Sequence, residues 1–112
     1  MTTAVAVLQA GVQLGIAASA LYTVPTGSGQ TVVRQAVFTN VDTVARTITV
    51  YRVASGGAAG AANTIIKDKR LTPGQSYVAP EVANMVLNSG DSIQALASAA
   101  TAVTAVLMGY TL

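Results

Sequence analysis

Over several stretches of the chain, apolar and polar residues alternate one by one, the period of a half-buried β-strand. Within 46–53, Ile48 and Val50 share one face while Thr47, Thr49 and Tyr51 share the other. The stretch 91–97 sets Ile93, Ala95 and Ala97 against Ser92 and Gln94, and 104–112 groups Val106, Met108, Tyr110 and Leu112 on one side. Between the runs stand Pro25-Thr26-Gly27-Ser28-Gly29, Asn40-Val41-Asp42, Ser55-Gly56-Gly57, Thr72-Pro73-Gly74 and Asn88-Ser89-Gly90-Asp91. Each supplies a preset φ, a tolerated positive φ or a side-chain hydrogen bond to its own turn. The pattern predicts strands at 12–17, 20–24, 31–40, 46–54, 63–67, 75–79, 84–88, 91–98 and 102–111. Many short strands with regular turn signals read as a sandwich or barrel of antiparallel strands. The Ala/Gly stretch 54–62 reads as a loop, because Gly56, Gly57 and Gly60 penalise a helix. The small residues of 97–102 read as a wide hairpin.

Composition narrows the chemistry. A length of 112 residues suits one domain. The hydrophobic share of 52% excludes a disordered chain, and with 9% charged residues the surface is short of charge. A chain this apolar is expected to cover part of its surface with a partner. Its core must be thin, since alanine and valine bury little area each, so stability is expected to come partly from association. The absence of Cys and His removes thiol nucleophiles, imidazole bases, disulfide scaffolds and nearly every structural zinc site.

The net charge of +2 rests on few groups. One basic cluster, Lys67-Asp68-Lys69-Arg70, is expected to be a solvated hairpin tip or loop, with contact to an acidic protein surface as the alternative. Without a basic stripe and interleaved aromatics, nucleic acid is not an expected partner. Met1 to Leu21 carry no charged side chain. Gln9 and Gln13 interrupt this segment and no basic flank sets a topology, so neither a spanning helix nor a secretory signal is expected. Residues 1–19 are therefore set apart as an apolar N-terminal arm or strand, and 20–112 as the β-sandwich.

Catalytic and cofactor motifs are missing from the pattern. Neither Gly27-Ser28-Gly29 nor Gly56-Gly57-Ala58-Ala59-Gly60 is followed by the Lys-Ser/Thr pair of a phosphate loop. The carboxylates Asp42, Asp68, Glu81 and Asp91 lie far apart near turn signals, where they are expected to cap or initiate turns. No catalytic residue, metal ligand or cofactor is expected. Tyr22, Tyr51, Tyr77 and Tyr110 each fall in an expected strand, with the ring buried and the hydroxyl at the rim.

Several segments together resemble the small virion proteins of tailed bacteriophages. They are Leu21-Tyr22-Thr23-Val24-Pro25 with Gly27, Phe38-Thr39-Asn40, Ile48-Thr49-Val50, and the spacer from Gly56 to Asn63. Leu71-Thr72-Pro73-Gly74-Gln75 and Leu87-Asn88-Ser89-Gly90-Asp91-Ser92-Ile93-Gln94-Ala95 complete the set. The resemblance covers about residues 20–112. It implies an all-β, compact antiparallel β-sandwich, jelly-roll-like, without cofactors and without enzymatic activity. It further implies a capsid decoration (cement) protein on the outer surface of the virion, clamping neighbouring major capsid subunits, often as a homo-oligomer (dimer or trimer). The alternative is a tail, collar or fibre-associated protein, contacting tail or portal-region proteins, with a receptor- or carbohydrate-binding role. On this view the partner interface is expected at Val5, Val7, Leu8, Val12 and Leu14 of the arm, which adds a strand to a neighbour or lies on the capsid. Lys67, Lys69 and Arg70 are expected against an acidic capsid surface. Removal of residues 2–12 is expected to leave a folded sandwich.

Overall fold

The computed structural model describes residues 4–27 and 29–112. Residues 1–3 of the expected arm, and Ser28 of the Gly27-Ser28-Gly29 turn, lie outside the described residues. Nine strands run in order: β1 (Ala4–Gln13), β2 (Ser19–Thr23), β3 (Thr31–Asn40), β4 (Arg46–Val53), β5 (Thr64–Leu71), β6 (Ser76–Val78), β7 (Met85–Leu87), β8 (Ser92–Ala97) and β9 (Val103–Thr111). All strand pairs are antiparallel. One sheet has the order β1-β9-β3-β6, with β7 also pairing β3, and the other has the order β2-β8-β4-β5.

The pairing follows from a single long hairpin rolled on itself. The first strand pairs the last, β2 pairs β8, β3 pairs β6 and β7, and β4 pairs β5. Pro80 and the turn at 79–84 split one strand of that hairpin into β6 and β7. Counted as one, they leave eight strands in two sheets, the jelly-roll arrangement. Period-two patterning explains the packing, because Ile48, Val50, Ile93, Ala95 and Ala97 all face the core and are at most 1% exposed. Phe38, Leu71, Leu87, Ile93 and Leu107 fill the space between the sheets, and Ala36, Ala95 and Ala105 keep it thin. Gly109 permits close approach of β9 to β3, since a Cβ there would run into the Val32 carbonyl.

One buried polar side chain ties each end of the sandwich. At one end the Asn40 amide donates to the carbonyls of Val44 (2.9 Å) and Leu71 (3.0 Å) and accepts from the Asp42 N–H. At the other, Asp91 accepts from the N–H groups of Asn88 and Ser55, both at 3.0 Å, and from the Arg52 guanidinium at 2.9 Å. Both residues come from turn signals visible in the sequence.

Three expectations need correction. The first strand covers 4–13 rather than 12–17, and Leu14 to Ala18 forms the turn into β2. Within the segment set apart as an arm or strand, Ala4 to Gln13 is a strand hydrogen-bonded to β9 in the sheet. Its removal would uncover the edge of β9 rather than leave the sandwich unchanged. The basic cluster is no hairpin tip: Lys67 to Arg70 lie within β5, which runs on to Leu71. Charge there protects a sheet edge from pairing with other chains. The loop at 54–62 ends in a single 3₁₀ turn, Ala61–Asn63. Among the described residues, no helix is long and apolar enough to cross a membrane.

Candidate partner-binding surface

An antiparallel sheet with one wet face reads apolar inward and polar outward. β9 departs from this rule. Val103, Ala105, Leu107 and Gly109 face the core, and the residues between them are Thr104, Val106, Met108 and Tyr110. The ladder extends this outer apolar set sideways. Val7 pairs Met108, which pairs Gln35; Val106 pairs Val37, which pairs Val78; Val5 pairs Tyr110, which pairs Val32, which pairs Val86. The outer face of the five-stranded sheet is thus a field of valines with Met108 near its middle. Val5, Val7, Val78, Val86 and Met108 are exposed there, Val5 to 90%.

A shallow groove of about 490 Å³ crosses this face, lined by Val5, Arg34, Gln35, Val78, Met108, Gly109 and Tyr110. Arg34 is the charged residue in that lining. Its Nη1 donates to the Tyr110 hydroxyl at 2.9 Å, and its guanidinium carbon lies 5.6 Å from the ring centroid. The register against β9 shifts between Val33 and Gln35, so Arg34 has no partner on β9 and stands exposed beside Gln35.

The interface residues expected from sequence separate into three places. Val5 and Val7 stand on the outer face of β1, while Leu8 and Val12 are half-buried against the core. Leu14 is 2% exposed and belongs to the core, so no partner reaches it. Lys67, Lys69 and Arg70 lie on β5, the far edge of the other sheet. Lys69 reaches across that edge, its Nζ 4.8 Å from the centroid of the Tyr77 ring. The structure does not bring the apolar and basic groups into one site. The sequence reading missed Arg34, Val37, Val78, Val86, Val106, Met108 and Tyr110 as candidates. The grouping of Val106, Met108 and Tyr110 was visible, but both faces of β9 are apolar and periodicity could not say which lay outside.

Each carboxylate is engaged with a neighbour. Asp42 accepts from the Thr43 N–H and pairs with Arg46 at 2.8 Å, contacts that hold its carboxyl below the usual range. Asp68 exchanges hydrogen bonds with Thr49, its Oδ1 accepting from the hydroxyl and its N–H donating back. Burial pushes the Asp91 carboxyl up, but the N–H groups of Asn88 and Ser55 and the charge of Arg52 outweigh it and hold the group below the usual range. Glu81 accepts the Tyr77 hydroxyl at 2.7 and 2.9 Å. That hydrogen bond, with some burial, pushes the phenol up to about 12, because the bond is lost when the phenol ionises. Removing the acceptor charge with Glu81→Gln is expected to lower the Tyr77 ionisation toward the ordinary value of about 10, read by NMR titration of labelled tyrosine. An unchanged midpoint would disprove the Glu81 contact. All four tyrosines are half-buried in β2, β4, β6 and β9, and they form no exposed aromatic platform.

No protein-family model matches the chain, and no curated protein matches it in sequence. Among solved structures it is similar to a chain in the structure of the infectious bursal disease virus Gx strain, with 16% identity and a TM-score of 0.45. That match covers 97% of this chain and 30% of the viral one. A chain in the crystal structure of the T13 particle of the same virus is also similar, with 16% identity, a TM-score of 0.43, and coverage of 99% and 30%. The chain thus spans 30% of the length of the chains it matches.

Proposed function

We propose that this chain is a structural virion protein of a tailed bacteriophage, a capsid decoration (cement) protein whose work is association rather than catalysis. The observation that carries the reading is the apolar outer face of the five-stranded sheet. A strand that is apolar on both faces gains stability when both are covered, and the fold itself covers only one face of β9. The carboxylates, by contrast, are all engaged in holding turns, edges and sandwich ends. The jelly roll is an architecture that recurs in viral capsid and lectin domains, and the segments between 20 and 112 that resemble phage virion proteins favour the first.

A cement protein adds interface area across a seam, and copies multiply it. Four strands at about 4.8 Å spacing and nine residues at about 3.3 Å rise give a face of about 19 by 30 Å. That is about 570 Å², somewhat over two-thirds of the roughly 800 Å² per partner in a standard interface, so contacts beyond the face must supply the remainder. In this reading the face, with Val5 and Val7 at its edge, rests on neighbouring major capsid subunits at the outer surface of the head. Lys67, Lys69 and Arg70, on the far edge, meet an acidic capsid surface, and that part of the attachment weakens as salt rises.

Immunogold labelling of particles tests the assignment, combined with rebinding of purified chain to stripped particles. Label spread over the head, in copy number comparable with the capsid protein, is the expected result. Met108→Glu, which puts a charge at the centre of the face, is expected to reduce rebinding at least tenfold without loss of the β-sheet circular dichroism signal. Label confined to the tail or one vertex would replace this reading with the tail, collar or fibre alternative. Intact particles without label, or full rebinding by Met108→Glu, would overturn it.

A further inference from the structure

The two sheets have four edges, and three carry features that oppose pairing with other chains. β5 bears Lys67, Asp68, Lys69 and Arg70, with Asp68 in the left-handed region at φ 47. β6 and β7 are three residues each, and β2 is five residues with a register shift. β1 is the exception. It has ten residues without a charge or a proline, and its register against β9 is unbroken from Ala4 to Val7. Val5 and Val7 there are 90% and 65% exposed. From Leu8 on the edge is modified: the register shifts between Val7 and Gln9, Gln9 donates through Nε2 to the Leu21 carbonyl at 2.9 Å, linking β1 to β2, and the register shifts again before Val12. The regular template is Ala4–Val7, with Leu8 at its end.

We propose that the β1 edges of two copies of this chain pair antiparallel about a two-fold axis at Ala6, joining two five-stranded sheets into one. The segment is complementary to itself in this register. Val5 meets the partner's Val7 on the outer face, and small Ala4 meets the partner's Leu8 on the inner face. β1 itself carries no charge of either sign to oppose the approach, whereas a charged peptide would find no counter-ion on β1. A two-fold contact of this kind is closed, so it stops at a dimer instead of propagating as a fibre. The seam is continuous with the groove face at Val5, so pairing doubles the width of the apolar field. The five-residue seam is about 17 Å long across sheets about 10 Å apart. Its area is well under the roughly 800 Å² per partner of a stable complex, so the dimer forms reversibly with concentration. The pairing stands on the edge alone and holds whether or not the face docks on a capsid.

Sedimentation velocity of the purified chain from about 10 μM to about 1 mM, the range of weak association, tests it. The weight-average mass is expected to rise from 11.2 kDa toward twice that value. Val7→Lys is expected to stay monomeric, while Val78→Glu, on the same face but at the other edge, is expected to rise like the wild type. Hydrogen exchange read by NMR is expected to show amides within Ala4–Leu8 gaining protection with concentration, with those of β6 unchanged. A wild type at monomer mass throughout overturns the proposal. Loss of association in Val78→Glu with retention in Val7→Lys also overturns it, and assigns the contact to the sheet face.

Discussion

Replacing Phe38 with alanine is expected to lower the unfolding free energy by about 3–5 kcal/mol, the range for emptying a buried aromatic site. Phe38 is the chain's single phenylalanine and is fully buried. It sits on β3 opposite Ala105 of β9 and Tyr77 of β6, so its backbone is held from both sides. The core cluster around it is rich in alanine and valine. Short side chains cannot swing into the void, and a cavity that does not collapse adds its own cost. A domain of this size has about 5–15 kcal/mol in total, so the variant is expected near the limit of folding. In urea the midpoint should fall with little change in slope, because the surface exposed on unfolding is nearly the same. Phe38→Leu, which keeps most of the volume, should lose less than half as much. A loss under about 1 kcal/mol for the alanine variant, typical of surface sites, would mean that the sheets do not close on this ring.

The second large effect is expected at Asp91, where Asp91→Asn should cost about 2–4 kcal/mol near neutral pH. The carboxylate joins the start of β8 to the ends of β4 and β7 through Ser55, Arg52 and Asn88. Its side chain is 8% exposed, whereas that of Arg52 is 31% exposed. The guanidinium can therefore recover water when its partner is neutralised, which keeps the cost below that of a fully buried pair. The pH dependence has a definite sign. The folded carboxyl ionises below its ordinary value, so its contribution is complete above an unfolded pKa of about 3.9 and is lost as pH falls through the folded value. Wild type and Asp91→Asn should thus differ most at pH 6–7 and converge below about pH 4. Asp42 shifts in the same direction, but its pair with Arg46 is about 30% exposed on each side, so Asp42→Asn should change stability less. A wild-type advantage over Asp91→Asn that persists undiminished at pH 2 would show that shape rather than charge holds this end.

The strands with polar residues on the wet face were legible in the sequence. For 46–53 and 91–97 the core-facing set follows directly from alternation, and the structure buries those residues. Turns were legible for a related reason: Gly56, Gly74 and Gly90 all adopt positive φ, which glycine tolerates without strain. The sequence misled where one residue type serves two purposes. Charges usually mark a loop, but on β5 they mark an edge that must not pair. In 4–13, small alanines between valines hide the alternation, so the pattern points to 12–17 instead.

By itself the sequence determined the class of the molecule, because period-two patterning and turn chemistry are local properties of neighbouring residues. It also determined a poverty of catalytic groups, since residue types can be counted without knowing where they lie. Tertiary structure decided which strands pair, and therefore which edge of the sandwich is left unguarded. It separated Val5 and Val7 from Lys67, Lys69 and Arg70 by placing them on different edges. It turned Val106 and Met108 outward, a choice that periodicity could not make for a strand apolar on both faces. The reason is the same in each case: facing and adjacency belong to pairs of strands far apart in the chain, and register is fixed only when the sheets close on their shared core.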